Sequence, residues 1–378
     1  MRIGRLASLD ILRGAAMVLM AIDHVRVFAG VPAGGPDPAV FFTRWVTHFC
    51  APIFVFLAGS SAALRGGSLS ERSRLLLVRG LWLVFLELTV IHFSWSFNLS
   101  MMTEQMAGVI WAIGWCMVLL SALVRLRVWI VGVLGVTVMF GHNLIGPPGD
   151  SVSRMGSILY HGIAAGPLDF GGGVSLMVLY SIVPWVGVMA AGYGFSAVLR
   201  FDAAKRDRSC FLIGLGAIGL FLVLRGLNLY GDPFPWSAAG RLSAPLSFLN
   251  TTKYPASLSF LLMTLGPAIT LIPLLERARG AVVDVLALLG RVPFFFYLLH
   301  IPLIHLLAMG ISFARFGQVV PWLFTNHPMN PGPQPPGYRW SLGLLYLVWV
   351  IAIALLYGAC RWFDRFKSRR RDWWLRYV

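Results

Sequence analysis

The sequence predicts an all-α, polytopic integral membrane bundle of about ten transmembrane helices with both termini cytoplasmic, and three observations lead there. Hydrophobic residues make up 58% of the chain and charged residues only 12%, with a mean hydropathy of +0.76, a balance that soluble domains do not show. Mainly apolar runs of about 20 residues, enough to cross a bilayer core at ~1.5 Å rise per residue, recur along the chain. Arginine and lysine gather in alternate loops, as the positive-inside rule requires of a chain that crosses repeatedly.

In order, the expected spans are 8–29, 40–63, 79–97, 107–124, 128–145, 173–198, 210–230, 256–275, 281–310 and 341–362. The first follows Arg2 and Arg5 as a secretory signal would, but Arg13, Asp23, His24 and Arg26 interrupt it and no small-residue cleavage site follows, so it reads as a retained span. Only a tight turn separates the fourth and fifth. One set of loops holds Arg2 and Arg5; Arg65, Arg72, Arg74 and Arg79; Arg125 and Arg127; Arg200, Lys205, Arg206 and Arg208; Arg277 and Arg279; and, after the last span, Arg361, Arg365, Lys367, Arg369, Arg370, Arg371 and Arg376. The other set holds Arg154, Arg241, Lys253, Arg315 and Arg339. Twenty-one against five puts both ends inside and asks for an even number of spans.

The net charge of +16 is therefore mainly a topology signal. Basic residues are dispersed over every inner loop and form no single stripe, so nucleic acid is not an expected partner. The chain reads as one transmembrane domain, 1–363, followed by a basic and aromatic cytoplasmic tail, 364–378, suited to an anionic headgroup surface. Cys50, Cys116, Cys210 and Cys360 stand singly on different spans and read as small packing residues, with no CxxC pair. Three longer outer loops, 142–172, 231–255 and 311–340, are rich in Gly, Pro and aromatics; they either cap the bundle or supply residues to a substrate.

Ionisable residues inside apolar spans are costly and are functional candidates by default. Counting at ~1.5 Å per residue puts Asp23 and His24 in the outer half of the first span and Arg44 and His48 just below the outer end of the second. His92 and His300 and His305 fall in the same outer layer on the third and ninth spans. Arg44 and His48 are i,i+4, so the cation could keep the imidazole neutral and basic. Asp23 could pair with Arg26 at i,i+3 or orient a histidine from another helix. Taken singly, His92 and His305 read as packing residues. At the inner end, Asp10 and Arg13 are i,i+3, either a clamp for a phosphate or an interfacial ion pair that seats the helix, and Gly14 beside them permits close helix packing.

The segments SLDILRG…MVLMAIDHVRVF and FFTRWVTHFCAPIFVFLAGSSAAL resemble the start of a bacterial membrane family related to the catalytic domain of heparan-α-glucosaminide N-acetyltransferase, long labelled a domain of unknown function. The resemblance continues through YSIVPWVGVMAAGYGFSAVLR (180–200), FLNTTKYPASLSFLLMTLGP (248–267) and LGRVPFFFYLLHIPLIHLL (289–307). It implies a multi-pass acyltransferase of the bacterial inner membrane that takes an acyl group, acetyl in the first instance, from cytoplasmic acetyl-CoA and delivers it to a sugar or glycan acceptor on the far side. Asp10 and Arg13 match the opening motif, and His24 and His48 occupy the polar positions of the first two helices. The related lysosomal enzyme carries its catalytic histidine around the position of Pro38, where this chain has none.

Acyl transfer from a thioester needs a base, donors for the developing oxyanion and a cationic seat for the CoA phosphates. The expected catalytic residues are His48 or His24 as base with Asp23 and Arg44; Arg13 and Asp10 would bind acyl-CoA; Asn250, Lys253, Tyr254 and His300 would bind the acceptor. A direct transfer and an acyl-histidine intermediate both fit. No GxSxG elbow supports a serine hydrolase. The competing class is a proton-coupled transporter using the same Asp, His and Arg groups. A metal site built from His24, His48, His300 and Asp23 lacks HxxxH or HExxH spacing, and no metal is expected. The expected partners are acyl-CoA, the acceptor and the lipid bilayer, and a homodimer is compatible with this architecture.

Overall fold

A computed structural model describes residues 6–146, 148–149, 152–328, 332–370 and 372–376. Arg2, Arg5 and Arg371, counted above among the inner-loop charges, lie outside the described residues. Among the described residues, seven helices are long and apolar enough to cross a membrane: Pro38–Leu64, Leu69–Ser96, Ile182–Leu199, Ala203–Gly226, Leu258–Arg277, Pro293–Phe316 and Leu342–Arg369. Val109–Leu123 and Val128–Leu144 are apolar but shorter. Ala7–Phe28 has the length, at 22 residues, and carries Asp10, Arg13, Asp23 and Arg26 along it. A helix stands in each expected run, and the protein is an all-α polytopic membrane protein.

The boundaries shift where local chemistry overrides hydropathy. The sixth helix starts at Ile182 and not at 173, because Val174–Val178 is drawn into a small sheet, parallel to Glu104–Ala107 and antiparallel to Leu168–Gly171. Gly171, Gly172 and Gly173 all have positive φ and turn the chain between the last two strands, where a side chain would be strained. The ninth expected run is two helices, Ala281–Arg291 and Pro293–Phe316. Val292, at φ −126° and ψ 48°, is pushed out of the helical region by the proline that follows, and Pro293 then opens the next helix. That helix runs on to Phe316 and stops at Gly317, left-handed at φ 70°. The last helix continues to Arg369, so the predicted tail begins helical.

The described residues divide into two compact units, one of Ala51–Leu88 with Thr103–Leu274 and one of Leu6–Cys50, Thr89–Met102 and the described residues from Leu275 onward. The first unit is built on small-residue contacts. Gly80 meets Gly114 backbone to backbone, Gly132 meets Gly194, and Gly59 and Gly192 sit against the carbonyls of Met189 and Phe56. Ser60 adds an Oγ hydrogen bond to the Gly192 carbonyl at 2.8 Å. Helices in lipid gain nothing from hiding apolar surface from one another, so close backbone approach and interhelical hydrogen bonds hold them.

The second unit uses the same device. A Cβ on Gly14 would overlap the Leu286 carbonyl, and one on Gly290 would overlap that of Asp10, so Ala7–Phe28 lies directly on Ala281–Arg291. Glu276 accepts a hydrogen bond from the Ser8 amide at 2.8 Å, satisfying one of the orphan donors at the start of the first helix. At the same helix's far end, Tyr338 Oη donates to the Phe28 carbonyl at 2.8 Å.

Candidate functional site

Within the second unit, the first helix carries its ionisable residues where other elements meet them. Arg26 Nε donates to Asp23 Oδ1 at 2.8 Å, and Arg26 Nη1 donates to the Val31 carbonyl at 2.7 Å, tying down the chain that leaves the helix. Arg44 Nε approaches the same Asp23 oxygen at 3.5 Å. Arg44 arrives on the helix Pro38–Trp45, which Asp37 caps through the Ala39 amide at 2.8 Å and Pro38 opens. One carboxylate thus lies between two guanidiniums from different helices.

The i,i+4 relation of Arg44 and His48 is altered. Residues Val46–Phe49 tighten into a 3-10 turn, which winds His48 past the position a continuous α-helix would give it. Besides the 3.5 Å approach of its Nε to Asp23, Arg44 donates from Nη1 to Thr47 Oγ1 at 3.4 Å. His48 is buried within that turn.

His24 and His300 meet. His24 Nδ1 and His300 Nε2 stand 2.5 Å apart, with the rings 25° from parallel. His300 is fully buried, and its Nδ1 lies 2.5 Å from the Tyr297 carbonyl, one turn back along its own helix. Trp95 meets the His24 ring edge-on at 5.0 Å between centroids, and Phe28 stacks on Trp95 at 5.5 Å.

Farther along, His305 is stacked between Phe28 and Phe97, at 4.7 and 4.3 Å, and its Nδ1 donates to the Ser94 carbonyl at 3.1 Å. His92 Nε2 donates to the Met101 carbonyl at 2.9 Å. Both rings thus serve as buried links to backbone. His327, in the loop after Pro321–Phe324, packs on Trp322 at 4.2 Å and edge-on to Phe28. Burial pushes its pKa down to about 4, with a smaller contribution of the same sign from His305.

Near the Ala7 end of the first helix, Arg13 Nη1 lies 3.1 Å from Asp10 Oδ1 and donates to the Gly290 carbonyl at 3.1 Å. Arg13 keeps 17% of its side chain exposed, so the guanidinium is both seated and reachable. Arg291 and Asp364 form a bidentate pair in the same unit, the closest contact at 2.8 Å.

Asn250, Lys253 and Tyr254 belong to the first unit. Lys253 is buried with its ammonium 5.2 Å from the Tyr254 ring centroid, and Tyr254 and Tyr180 share a hydroxyl contact at 3.3 Å. The Asn250 carbonyl accepts from Arg225 Nη2 at 3.0 Å. Arg225 also donates to the carbonyls of Phe248, Phe234 and Ser247 and lies 3.7 Å from Asp232, which in turn accepts from Thr252 and Ser257. The loop that carries the expected acceptor-binding residues is thus organised around one buried arginine.

Hydropathy alone passed over a second buried ionisable group of that unit. Glu87, 2% exposed, opens a π-turn, Glu87–Ile91, and its carboxyl lies against Gly108 and accepts from the backbone of Ile110, Trp111 and Gly108 at the start of Val109–Leu123. It is the one acid in the apolar run LWLVFLELTVI, and a single acid within a span was a readable signal. Among the described residues, no three His, Cys, Asp or Glu side chains gather as a metal site would require. All four cysteines are buried, and none is in a disulfide.

A multi-pass helical protein that keeps an arginine-clamped aspartate and a histidine pair inside one of its units is an integral membrane protein with ionisable groups held among its helices. Residues 5–229 match the family described as heparan-alpha-glucosaminide N-acetyltransferase, catalytic, which is more than half of the chain, and the protein belongs to that family. His24, Arg44 and His48 lie within the matched stretch; Asn250, Lys253, Tyr254 and His300 lie beyond it. No curated protein matches the chain closely enough to be counted a relative.

Proposed function

We propose that the protein is a membrane acyltransferase that moves an acyl group, acetyl in the simplest case, from cytoplasmic acyl-CoA to the amine or hydroxyl of a sugar on the extracytoplasmic side of a bacterial inner membrane. The observation that carries this reading is family membership over residues 5–229. The polar groups of the first helix support it, because two of the three things acyl transfer needs, the base and the cationic seat, occur along one element. Arg13, steadied by Asp10, is the cationic seat for CoA phosphates, and His24 is the base. They are eleven residue steps apart on the helix, so the arm of the donor must run about 16 Å to bring its thioester to the imidazole.

The reaction joins the acceptor nitrogen or oxygen to the acyl carbon and breaks the carbon–sulfur bond. The acceptor's proton passes to the base and from there to the CoA thiolate. Arg44, held by Asp23, is the proposed donor to the oxyanion, and His48 is the alternative base. Asn250, Lys253 and Tyr254 are proposed acceptor contacts on their chemistry, an amide, an ammonium and a phenol suited to a hydroxyl array. Intramembrane Asp, His and Arg residues also serve proton-coupled transport, so the deciding experiment must separate the two. Purified protein with radiolabelled acetyl-CoA and a panel of amino sugars is expected to release CoA and label an acceptor. Uptake into proteoliposomes without CoA release would replace this reading with transport.

A further inference from the structure

We propose that His300 is a positioning residue that fixes the proton of His24 on Nδ1 and so leaves the lone pair of His24 on Nε2; its catalytic sense rests on the acyl-transfer reading above. The argument is one of hydrogen-bond polarity. A backbone carbonyl can only accept, so the 2.5 Å contact between His300 Nδ1 and Tyr297 O requires a proton on His300 Nδ1. In a neutral imidazole the other nitrogen then carries the lone pair, so His300 Nε2 accepts. The atom 2.5 Å from it is His24 Nδ1, which must therefore be the donor. The proton of a neutral His24 is thereby assigned to Nδ1, and the basic nitrogen is Nε2.

The role is one that a carboxylate or a backbone carbonyl ordinarily plays for a catalytic histidine, holding its tautomer and its ring plane. Asp23, adjacent to His24, is engaged by Arg26 and Arg44. A buried imidazole locked by its own helix takes over. Trp95 edge-on to His24 and Phe296 stacked on His300 at 5.7 Å restrain both rings. During transfer, His24 Nε2 takes the acceptor's proton while Nδ1 keeps its own. The resulting imidazolium then holds its charge against a neutral acceptor, His300 Nε2, until Nε2 returns the proton to the leaving thiolate.

The test uses full-length protein labelled with nitrogen-15 histidine in detergent, the His24 signals being identified by their loss in His24→Gln. His24 is expected to show a protonated Nδ1 and an unprotonated Nε2. His300→Gln, which can offer an amide oxygen at a similar reach, is expected to keep that signature and to recover much of the turnover. His300→Leu is expected to lose it and to lower kcat about 10²-fold with little change in KM for acyl-CoA. Thermal melting of each variant separates a folding defect from this effect, since a misfolded His300→Leu would leave the comparison of native and His300→Gln proteins to decide. A native protein in which His24 carries its proton on Nε2, or a folded His300→Leu with native kcat, overturns the proposal. A protein that has the signature but turns over no acyl-CoA with any acceptor overturns the acyl-transfer reading, and with it any catalytic sense of the pair, while the tautomer assignment stands.

Discussion

The Asp23 carboxylate and the Arg44 guanidinium stand 3.5 Å apart on different helices, with Arg26 bound to the same Asp23 oxygen at 2.8 Å. Removing the carboxylate leaves two partly buried cations facing each other. Asp23→Ala is expected to cost about 3–5 kcal/mol of stability, the range for breaking a buried ion pair from one side. Asp23→Ala combined with Arg44→Ala should cost less than the sum of the two single changes, because the two share one interaction. Thermal melts of the four proteins in one detergent provide the cycle; strict additivity would show that the pair contributes nothing.

At the other end of the same helix, Arg13 holds Asp10 and the Gly290 carbonyl while keeping part of its surface open. Arg13→Ala is expected to raise the KM for acyl-CoA about tenfold, near 1.4 kcal/mol, with kcat within about threefold. Steady-state kinetics at varied acyl-CoA measures this. A change confined to folding yield would assign Arg13 to seating the helix.

Glu87 replaces a local cap for Val109–Leu123 with a carboxyl from another helix. Glu87→Gln retains an acceptor oxygen and is expected to cost under about 1 kcal/mol, whereas Glu87→Leu strands the amides and is expected to cost about 2 kcal/mol. Melting temperatures of the two variants decide it, and equal values would deny the cap.

Arg225 donates to four backbone carbonyls across residues 234–250. Arg225→Lys cannot reproduce that fork, so even the charge-conserving change is expected to open the loop. Limited proteolysis should cut within 227–257 at least about tenfold faster in the variant, which corresponds to about 1.4 kcal/mol of local opening. Native resistance would mean that the loop holds without its central cation.

His327 predicts a pH dependence. Its folded pKa, about 4, lies below the ordinary 6.5, so between these values the unfolded chain binds the additional proton. Stability is therefore unaffected above about pH 6.5 and falls as pH drops toward 4, by about 3 kcal/mol in all. His327→Gln should flatten that part of the profile. Melts of both proteins at pH 7.5 and pH 5 measure the difference, and parallel slopes would remove His327 as the source.

Much of this molecule is legible along the chain. Hydropathy located the helices, and the i,i+3 spacings of Asp10 with Arg13 and of Asp23 with Arg26 foretold ion pairs that do form, because neighbours on one helix face meet whatever the rest of the fold does. Gly14 announced a close helix contact, though not that Leu286 would supply it. The strand at Val174–Val178 was hidden, since a short apolar β-branched run looks like the start of a span until its pairing partners at 104–107 and 168–171 are known. The approach of Arg44 to Asp23 was not legible, because it depends on how the helix Pro38–Trp45 meets the first helix.

By itself, then, the order of residues determined that this is a multi-pass helical membrane protein, which apolar stretches span, and that charged groups sit within them at a cost that needs explaining. Those properties follow from transfer free energies and helix periodicity, which act over a few turns and need no knowledge of distant chain. Tertiary structure alone decided that His24 would find His300, 276 positions away, that Glu87 would cap a helix not its own, and that Arg225 would gather a loop's carbonyls. In an apolar surrounding each buried polar atom must find a partner, and which partner it finds depends on which helices pack together.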